Sequence, residues 1–416
     1  MKFTCNSIKK LLTYSALLAA MLMICAAVSC VESEKEAGQI VSDTDATVSS
    51  AEPVEVSLSD LNLEIGYGIT KHIDAVGGSE IKWSSSDESI ASVDSEGNVK
   101  GVDLGECVIT ATNEFGRIAQ CNITVKKTCY LTFDDGPLLN INNTLDALKK
   151  NDVKGTFFLV DSVYLPVVER MHDEGHTLAL HTKQNNTYHC YRNMFIYYTD
   201  LDILNDHIEQ YAGVRTNILR FPGGTSNKVC DPLTMRRIVN GANDLGYRVF
   251  DWTISAADAK ANSSFENSYN IICNKCFGKQ EIILMHDKSF TAKLIKNIVP
   301  KLRQRGYVFE TLDHYPEHSY IFKCRYSRTN KDVPAESLKL IPEVADIQVN
   351  ETIDLKFRFT PEKSTDFIVW QSSDDSIVKV DKGGQLTGIS PGNAVITAKA
   401  TSGATAQCKV KVLPAE

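Results

Sequence analysis

The sequence has no excess of positive charge. Its 44 lysines and arginines are outnumbered by 52 aspartates and glutamates, which gives a net charge of −8. A protein that binds nucleic acid needs a basic face that displaces counterions from the phosphates. The charge balance therefore argues against nucleic acid as a partner.

Long apolar runs are also scarce. The one that stands out extends from Leu11 to Val28, after three lysines, and it ends in AAVSC. A basic start, an apolar middle and small residues at the end are typical of an export signal, so we expect residues 1–30 to be a signal peptide. The small residues before Cys30 resemble a bacterial lipobox, which implies a lipid anchor on Cys30. A signal peptide that is cut near Ser29 without lipidation is the alternative.

The sequence has a single CxxC pair, Cys273 and Cys276. A structural zinc site with four thiolates would need a second pair, and the sequence has none. Of the 12 cysteines, three lie within residues 1–30, which leaves nine for the rest of the chain. Buried thiols or a local disulfide explain this cysteine usage better than a redox or metal centre.

One segment of the sequence occurs twice. Residues 83–125 and 370–412 align at a constant offset of 287 positions, and 20 of the 43 aligned positions carry the same residue. Short alternating apolar runs, such as CVITAT and QCNITV in the first copy, are separated by Gly, Asn and Asp. This alternation, with one Trp per copy to fill a core, predicts a β-sandwich for each copy.

The pattern shared by the two copies, W.SSD.SI..VD..G...G...G...ITA, resembles the group 2 immunoglobulin-like repeats of bacterial cell-surface proteins. The resemblance implies two all-β domains, at residues 54–126 and 338–413. Such domains are usually spacers or adhesive units, and we expect spacers here. Flexible linkers are expected at residues 31–53, which are acidic, and at residues 326–337.

The segment between the repeats, residues 128–325, has a different pattern. Strand-like runs such as CYLTFDDG and EIILMHD alternate with helix-like runs such as NNTLDALKKND and TAKLIKNIVPKLRQRG. Apolar strands followed by amphipathic helices predict an α/β fold with a mostly parallel sheet, either a barrel or an open sheet. In both architectures the chemistry gathers at the carboxyl ends of the strands.

Polar residues cluster where these predicted strands end. The first strand-like run ends in two adjacent carboxylates, whose side chains point in different directions. One of them can therefore bind a metal while the other takes protons. The strand-end residues are Asp134 and Asp135 in LTFDDG, His181 in LALHT, Arg220 in LRFPGG, Asp251 and Trp252 in FDWT, and His286 in ILMHD. Each one alone has an ordinary structural explanation, but five such strand ends in one domain indicate an active site.

The order TFDDG, HT, RFPGG, DW and LMHD resembles the NodB-type polysaccharide deacetylases, carbohydrate esterase family 4. The resemblance implies a distorted (β/α) barrel that removes N- or O-acetyl groups from glycans. It also implies one divalent metal ion of the zinc, cobalt or nickel class.

The resemblance implies three roles for residues of this chain. The implied metal ligands are Asp135, His181 and Asn185. The implied catalytic residues are Asp134 as general base, Arg220 to orient that base, His286 as general acid and Asp251 to tune that acid. The implied substrate and oxyanion pocket consists of Phe221 with its following turn, Trp252 and Leu284.

Asn185 departs from the family pattern, which has a second His four residues after the first. An Asn can bind a metal only through its amide oxygen, a weaker donor than imidazole for zinc-like metals. Three interpretations stay open: Asn185 binds the metal weakly, a water or His189 replaces it, or the site is inactive and the domain only binds glycan. We favour an active site because the other polar positions of the pattern are all present.

The sequence therefore predicts an exported enzyme, lipid-anchored at the cell surface or in the envelope, that deacetylates a polysaccharide. An N-acetylated glycan such as peptidoglycan is the favoured substrate. No protein partner is expected, and the membrane is a partner only through the lipid. The alternative from another class is a weakened or inactive glycan-binding or adhesive surface protein.

Overall fold

A computed structural model of the protein describes residues 54–183, 191, 194–229, 232–321 and 333–415. The expected signal peptide with Cys30, and the two residues Asn185 and His189, lie outside these ranges. The chain divides into two compact units, and all described residues belong to the second, residues 53–416. None of the helices in the described ranges has the length and apolar character needed to cross a membrane.

The first domain is a sandwich of short strands. Its strands are β1 (Ser57–Leu58), β2 (Asn62–Gly66), β3 (Thr70–His72), β4 (Ala75–Val76), β5 (Ile81–Ser85), β6 (Ala91–Val93), β7 (Asn98–Gly101), β8 (Gly105–Asn113) and the first part of β9 (Ile118–Gly136). Strands β5, β8, β9 and β2 form one sheet, and β3, β7 and β6 form the other. Alternate residues of β8 and β9, such as Ile109 and Cys121, are buried between the sheets.

The central domain is built from parallel strands and helices. After β9, its strands are β10 (Thr156–Val160), β11 (Thr177–Thr182), β12 (Ile218–Leu219), β13 (Arg248–Val249), β14 (Ile254–Ser255), β15 (Gln280–His286) and β16 (Tyr307–Glu310). Its α-helices are α1 (Ile141–Lys150), α2 (Val168–Asp173), α3 (Met194–Ala212), α4 (Pro232–Asp244), α5 (Phe265–Lys275) and α6 (Thr291–Arg303). Short 3-10 turns lie at Leu165–Val167 and Leu312–His314.

The sheet of the central domain curves into an incomplete barrel. The strand order is β13-β12-β11-β10-β9-β15-β14, and every pair along it is parallel. The chain passes from β13 at one end of this order to β14 at the other through residues 250–253. So short a link requires the two ends of the sheet to lie close together. The structure confirms the predicted distorted (β/α) barrel with two immunoglobulin-like sandwiches.

Side chains alternate across the wall of the barrel, as the pleat of a strand requires. On β9, Leu131 and Phe133 pack in the core under the helices, whereas Tyr130 belongs to a second cluster inside the barrel. Thr132 and Asp134 follow Tyr130 at intervals of two residues, so they face the interior too. The interior is therefore apolar at the amino ends of the strands and polar at the carboxyl ends.

Strand β9 belongs to both the first and the central domain. Its residues 118–125 pair with β8 of the sandwich, and residues 128–134 pair with β15 of the barrel. The buried cluster inside the barrel, which contains Tyr130 and Phe158, is continuous with the sandwich core around Ile65 and Ile109. The first sandwich therefore closes the amino end of the barrel and leaves the carboxyl end open.

The third domain repeats the sandwich of the first. Its strands are β17 (Ser337–Ile341), β18 (Val344–Gln348), β19 (Thr352–Asp354), β20 (Lys356–Thr360), β21 (Ile368–Ser372), β22 (Val378–Val380), β23 (Gln385–Gly388), β24 (Gly392–Ala400) and β25 (Thr405–Leu413). Matching serines make matching bonds in the two copies. Ser85 Oγ donates to the carbonyl of Ala91 at 2.6 Å, and Ser372 Oγ donates to the carbonyl of Val378 at 2.7 Å.

A buried histidine joins the starts of two barrel strands. His176 Nδ1 accepts a hydrogen bond of 3.1 Å from the amide of Gly155, just before β10, and its ring packs edge-on against Phe157. Burial lowers the pKa of His176 to about 4, against a usual value of 6.5. In the folded protein the ring is therefore neutral over a range of pH in which the unfolded chain protonates it.

We predict that this histidine makes the fold sensitive to acid. Between pH 6.5 and 4 the unfolded chain binds a proton that the folded protein does not, so the free energy of unfolding falls as the pH is lowered, by up to about 3 kcal/mol. His176→Asn keeps an acceptor for Gly155 and cannot titrate. Urea unfolding across this pH range should show a flatter pH dependence for the variant than for the wild type, and equal slopes would contradict the prediction.

Candidate active site

A buried arginine occupies the centre of the barrel. The guanidinium of Arg220 donates to Thr132 Oγ1 at 2.8 Å and to Asp134 Oδ1 at 2.7 Å. It also donates to the carbonyls of Phe250 and Asp251, and it stacks on the ring of Phe158 at 4.0 Å. A fully buried cation is costly unless it is paired and its donors are satisfied. Asp134, itself almost fully buried, supplies the opposite charge.

Asp135 and His181 lie at irregularities in neighbouring parts of the sheet. In the register of β10 with β9, Phe158 pairs with Asp134 and Leu159 pairs with Gly136, so Asp135 is the extra residue of a bulge. In the register of β10 with β11, Leu159 pairs with Leu180 and Val160 pairs with Thr182, so His181 is skipped in the same way. Bulges re-aim a side chain at the end of a strand.

The backbone of Asp135 has a φ of 66°, a region that residues other than Gly enter at a cost. The surrounding pairs of β9 hold it there. The bulge and this turn direct the Asp135 carboxylate toward the His181 ring, with Oδ1 3.2 Å from Nε2. The side chain of Asp135 stays 27% exposed, which marks the opening of the site to solvent.

The hydrogen bonds of His181 select one tautomer. Its Nδ1 lies 2.8 Å from the carbonyl oxygen of Arg220, which can only accept, so Nδ1 carries the proton and Nε2 faces Asp135. Two ligand atoms bound about 2.1 Å from one tetrahedral zinc ion lie about 3.4 Å apart, close to the separation of Nε2 and Asp135 Oδ1. The pair therefore fits two corners of a metal site.

The charges around His181 also suit a cation. Burial alone lowers the pKa of His181, but the negative charges of Asp134 and Asp135 outweigh burial and raise it. Within the described ranges, no group of three or more His, Cys, Asp or Glu side chains is placed to hold a metal ion. Asp135 and His181 would need a further ligand, and Asn185, the residue predicted for that position, lies outside the described ranges.

His286 faces Asp135 from the end of β15. Its Nε2 lies 3.7 Å from Asp135 Oδ2, while its Nδ1 lies 2.8 Å from Asp258 Oδ1. The backbone amide of His286 donates to Asp258 Oδ2 at 2.7 Å, so one carboxylate fixes both the ring and the main chain. Burial lowers the pKa of His286, but Asp258, with Asp134 and Asp135, more than offsets burial and raises it.

The expectation that Asp251 tunes His286 is wrong, because Asp258 occupies that place. The Asp251 carboxylate accepts from the amide and the hydroxyl of Thr225, at 2.9 and 2.5 Å. The run YRVFDWTI is divided into β13 and β14, and Asp251 lies in the link between them. Asp258 follows the end of β14, beyond Ala257 with its φ of 54°. Its position after a strand end is the feature of the sequence that could have identified it.

The three residues predicted to line the substrate pocket have different positions. The ring of Phe221 is fully buried in the core under the helices, so the expectation that it lines a groove is wrong for its side chain. Trp252 is partly exposed and its ring lies 5.6 Å from the Arg220 guanidinium. Leu284 is buried two residues before His286, so both face the barrel interior.

We predict that Asp258, and not Asp251, sets the protonation of His286. Asp258→Asn removes the negative charge beside His286 and leaves one amide oxygen to accept a hydrogen bond, while burial remains, so the pKa of His286 should fall. Asp251→Asn is the matched control and should leave that pKa close to the wild-type value. An NMR titration of the histidine ring protons in chelator-treated protein measures both, and a larger shift in the Asp251 variant would contradict the assignment.

Comparison with known proteins agrees with this geometry. The sequence profile of the family described as "Polysaccharide deacetylase" matches residues 122–250, and that of "Bacterial Ig-like domain (group 2)" matches residues 70–121 and 334–412. A peptidoglycan-N-acetylglucosamine deacetylase of Bacillus cereus is 30% identical over 204 residues, which are 46% of this chain and 72% of that protein. The peptidoglycan-N-acetylmuramic acid deacetylase PdaA of Bacillus subtilis is 29% identical over 199 residues, 46% of this chain and 72% of that protein.

Solved structures resemble the chain over a similar length. The catalytic domain of a peptidoglycan N-acetylglucosamine deacetylase from Eubacterium rectale has 31% sequence identity and a TM-score of 0.45, over 49% of this chain and 94% of that one. The family assignment depends on the sequence relatives and on the profile match. The chain belongs to the polysaccharide deacetylase family, and it carries group 2 bacterial immunoglobulin-like domains on both sides of its barrel.

Proposed function

We propose that the protein is a metal-dependent hydrolase that removes acetyl groups from an N-acetylated polysaccharide, with peptidoglycan as the favoured substrate. The observation that carries this proposal is the pairing of two proton-handling groups across one site. Asp134 is fixed by Arg220 on one side, and His286 is fixed by Asp258 on the other. Asp135 and His181 lie between them.

The residues that would hold the metal ion are Asp135 and His181, with Asn185 as the third ligand. An ion of the zinc, cobalt or nickel class supplies a Lewis acid that polarises the acetyl carbonyl and acidifies a water molecule. The tautomer of His181 and the separation of its Nε2 from Asp135 Oδ1 support this role for the pair.

The proton transfers of the proposed reaction fall to Asp134 and His286. Water attacks the acetyl carbon, and the Asp134 oxygen that Arg220 does not hold takes the water proton. The carbon–nitrogen bond breaks as Nε2 of protonated His286 gives its proton to the leaving nitrogen, which yields acetate and a free amine. Trp252 and Leu284 would enclose the acetyl methyl group, and this role is supported by the contact of Trp252 with Arg220 and by the face that Leu284 shares with His286.

Apolar side chains at the rim of the site favour a polymeric substrate. Leu139, after β9, is 75% exposed, and Val163, after β10, is 87% exposed beside the partly exposed Tyr164. Ser162 Oγ donates to the carbonyl of Pro137 at 2.9 Å and ties these two loops together. Exposed apolar groups next to a site commonly mark a binding surface, and the apolar faces of sugar rings suit this one.

Residues 1–30 support an exported and lipid-anchored protein, which would meet its glycan in the cell envelope. The Bacillus cereus relative is named for peptidoglycan, and that name supports the same substrate class here. A second function has one observation in its favour. With Asn185 in the third ligand position, the chain could bind glycan at this site without hydrolysing it.

We predict that the purified protein releases acetate from N-acetylated chito-oligosaccharides or peptidoglycan fragments when Zn²⁺, Co²⁺ or Ni²⁺ is supplied, and that a chelator abolishes the release. His286→Ala should lower kcat by about 10²- to 10⁴-fold, because the leaving nitrogen loses its proton donor. His314→Ala, a change at an exposed histidine outside the site, is the control and should leave kcat unchanged. Binding of the oligosaccharide without acetate release under any metal would favour the glycan-binding alternative.

We predict that Asn185→His raises the affinity for Zn²⁺ by about tenfold or more, because imidazole is a better donor than an amide oxygen for this metal. Asn185→Ala should lower the affinity. Isothermal titration of chelator-treated protein measures both changes. If neither substitution alters the affinity, Asn185 is not a ligand.

A further inference from the structure

The third domain contributes a side chain to the core of the barrel domain. Phe367, immediately before β21, is fully buried, and it belongs to the cluster under the barrel helices rather than to the core of its own sandwich. Its ring lies against the backbone of Gly241 in α4, where an added Cβ would be 2.3 Å from Cδ2 of the ring. The ring of Tyr198 in α3 meets it edge-on at 5.4 Å.

Polar contacts surround this aromatic contact. Arg237 in α4 donates to the carbonyls of Ser364 and Glu362, at 2.9 and 3.0 Å. In α3, Thr199 Oγ1 donates to Asp381 Oδ2 at 2.7 Å. Lys382 Nζ donates to Asp202 Oδ1 at 2.6 Å. The third domain is therefore fixed to both α3 and α4.

Two of the residues that make these contacts distinguish the two sandwich copies, whereas Asp381 matches an aspartate of the first copy, Asp94. At the offset of 287 positions, Phe367 corresponds to Glu80 and Lys382 corresponds to Ser95. Both Glu80 and Ser95 are exposed on the surface of the first domain. The buried ring and the lysine of this interface are thus features of the second copy that the first copy lacks.

Helix α3 connects this interface to the candidate active site. Tyr197 and Tyr198 are successive residues, so their side chains point about 100° apart on the helix. While Tyr198 meets Phe367, the hydroxyl of Tyr197 donates to the main-chain carbonyl of His181 at 2.8 Å. The ring of Tyr197 also packs against Phe221 at 5.6 Å, next to Arg220, whose carbonyl fixes the His181 ring.

We propose that the third domain is a structural support of the active site and not a spacer. Phe367 and Lys382 hold the first half of α3 against the barrel, and Tyr197 holds the ends of β11 and β12 in the register that positions His181. Supporting residues of this kind fix the orientation of a ligand and thereby its affinity for metal. Phe367, Lys382 and Tyr197 are positioning residues, and the metal-binding part of this inference rests on the proposed function.

The test uses two substitutions in the full chain, each with a matched control. Phe367→Ala removes the buried ring. Phe367→Leu keeps a large apolar side chain there, so it should retain most of the exchange protection and metal affinity that Phe367→Ala loses. Lys382→Ser replaces the lysine of the second copy with the residue that the first copy has at this position, Ser95. Lys379→Ser is its control, because the first copy also has a serine there, Ser92, and Lys379 is exposed on β22.

Hydrogen–deuterium exchange of the metal-free protein measures directly how the interface with the third domain affects the candidate active site. In the Phe367→Ala and Lys382→Ser variants, amides of residues 362–368 should exchange faster than in the wild type. The exchange rates of amides in residues 178–182 and 218–222 should also rise, by about tenfold. The amide of Arg220, bonded to the carbonyl of Leu180 at 3.0 Å, is the most informative. Lys379→Ser should change none of them. Faster exchange confined to residues 362–368, or no change anywhere, would overturn the inference.

Titration with Co²⁺, followed by visible absorption, gives the second readout. The dissociation constant for Co²⁺ should rise by about tenfold in Phe367→Ala and remain at the wild-type value in Lys379→Ser. If wild-type protein binds no Co²⁺, the proposed function fails, and the exchange experiment still decides the inference. If wild-type protein binds Co²⁺ and Phe367→Ala binds it equally well, the inference fails and the proposed function stands.

Discussion

The structure of the site depends on one buried cation. The Arg220 guanidinium connects β9, through Thr132 and Asp134, to the link between β13 and β14, through the carbonyls of Phe250 and Asp251. It thus joins the middle of the sheet to the place where its two ends approach each other. Asp134 is required to balance its charge, since a buried guanidinium without a counterion would be strongly destabilising. The main chain of the same residue fixes the ring of His181, so the proposed base and one proposed metal ligand share a single support.

Much of this site could be predicted from the sequence because it depends on strand ends. In a parallel barrel the carboxyl ends of all strands meet at one rim, so Asp134, Asp135, His181 and His286 had to lie close together once the strands were identified. The fold of the repeat could also be predicted, since the residues that two aligned copies share reveal which positions the fold requires. The two bulges could not be predicted, because a bulge depends on the pairing between strands and has no signature in the sequence of a single strand.

Each departure from the sequence-based expectations has its own physical origin. The resemblance implies that Asp251 tunes His286, yet the run YRVFDWTI, which has the composition of one strand, contains the point where the barrel passes from one end of its sheet to the other. The resemblance also implies that Phe221 lines the groove, but the alternation of faces turns its ring to the helices. Phe367 could not be distinguished by pattern from the residues of its own sandwich, since an apolar residue before a strand suits either core.

Strand β9 has 19 residues and carries hydrogen bonds of the sandwich at one end and of the barrel at the other. A strand that is common to two sheets transmits a break in either of them, so the first immunoglobulin-like unit and the barrel should melt as one cooperative body. A cut between Val125 and Thr128 of this chain would divide a strand that both sheets share. We therefore expect that a recombinant protein built on this barrel is more stable when it carries the preceding sandwich with it.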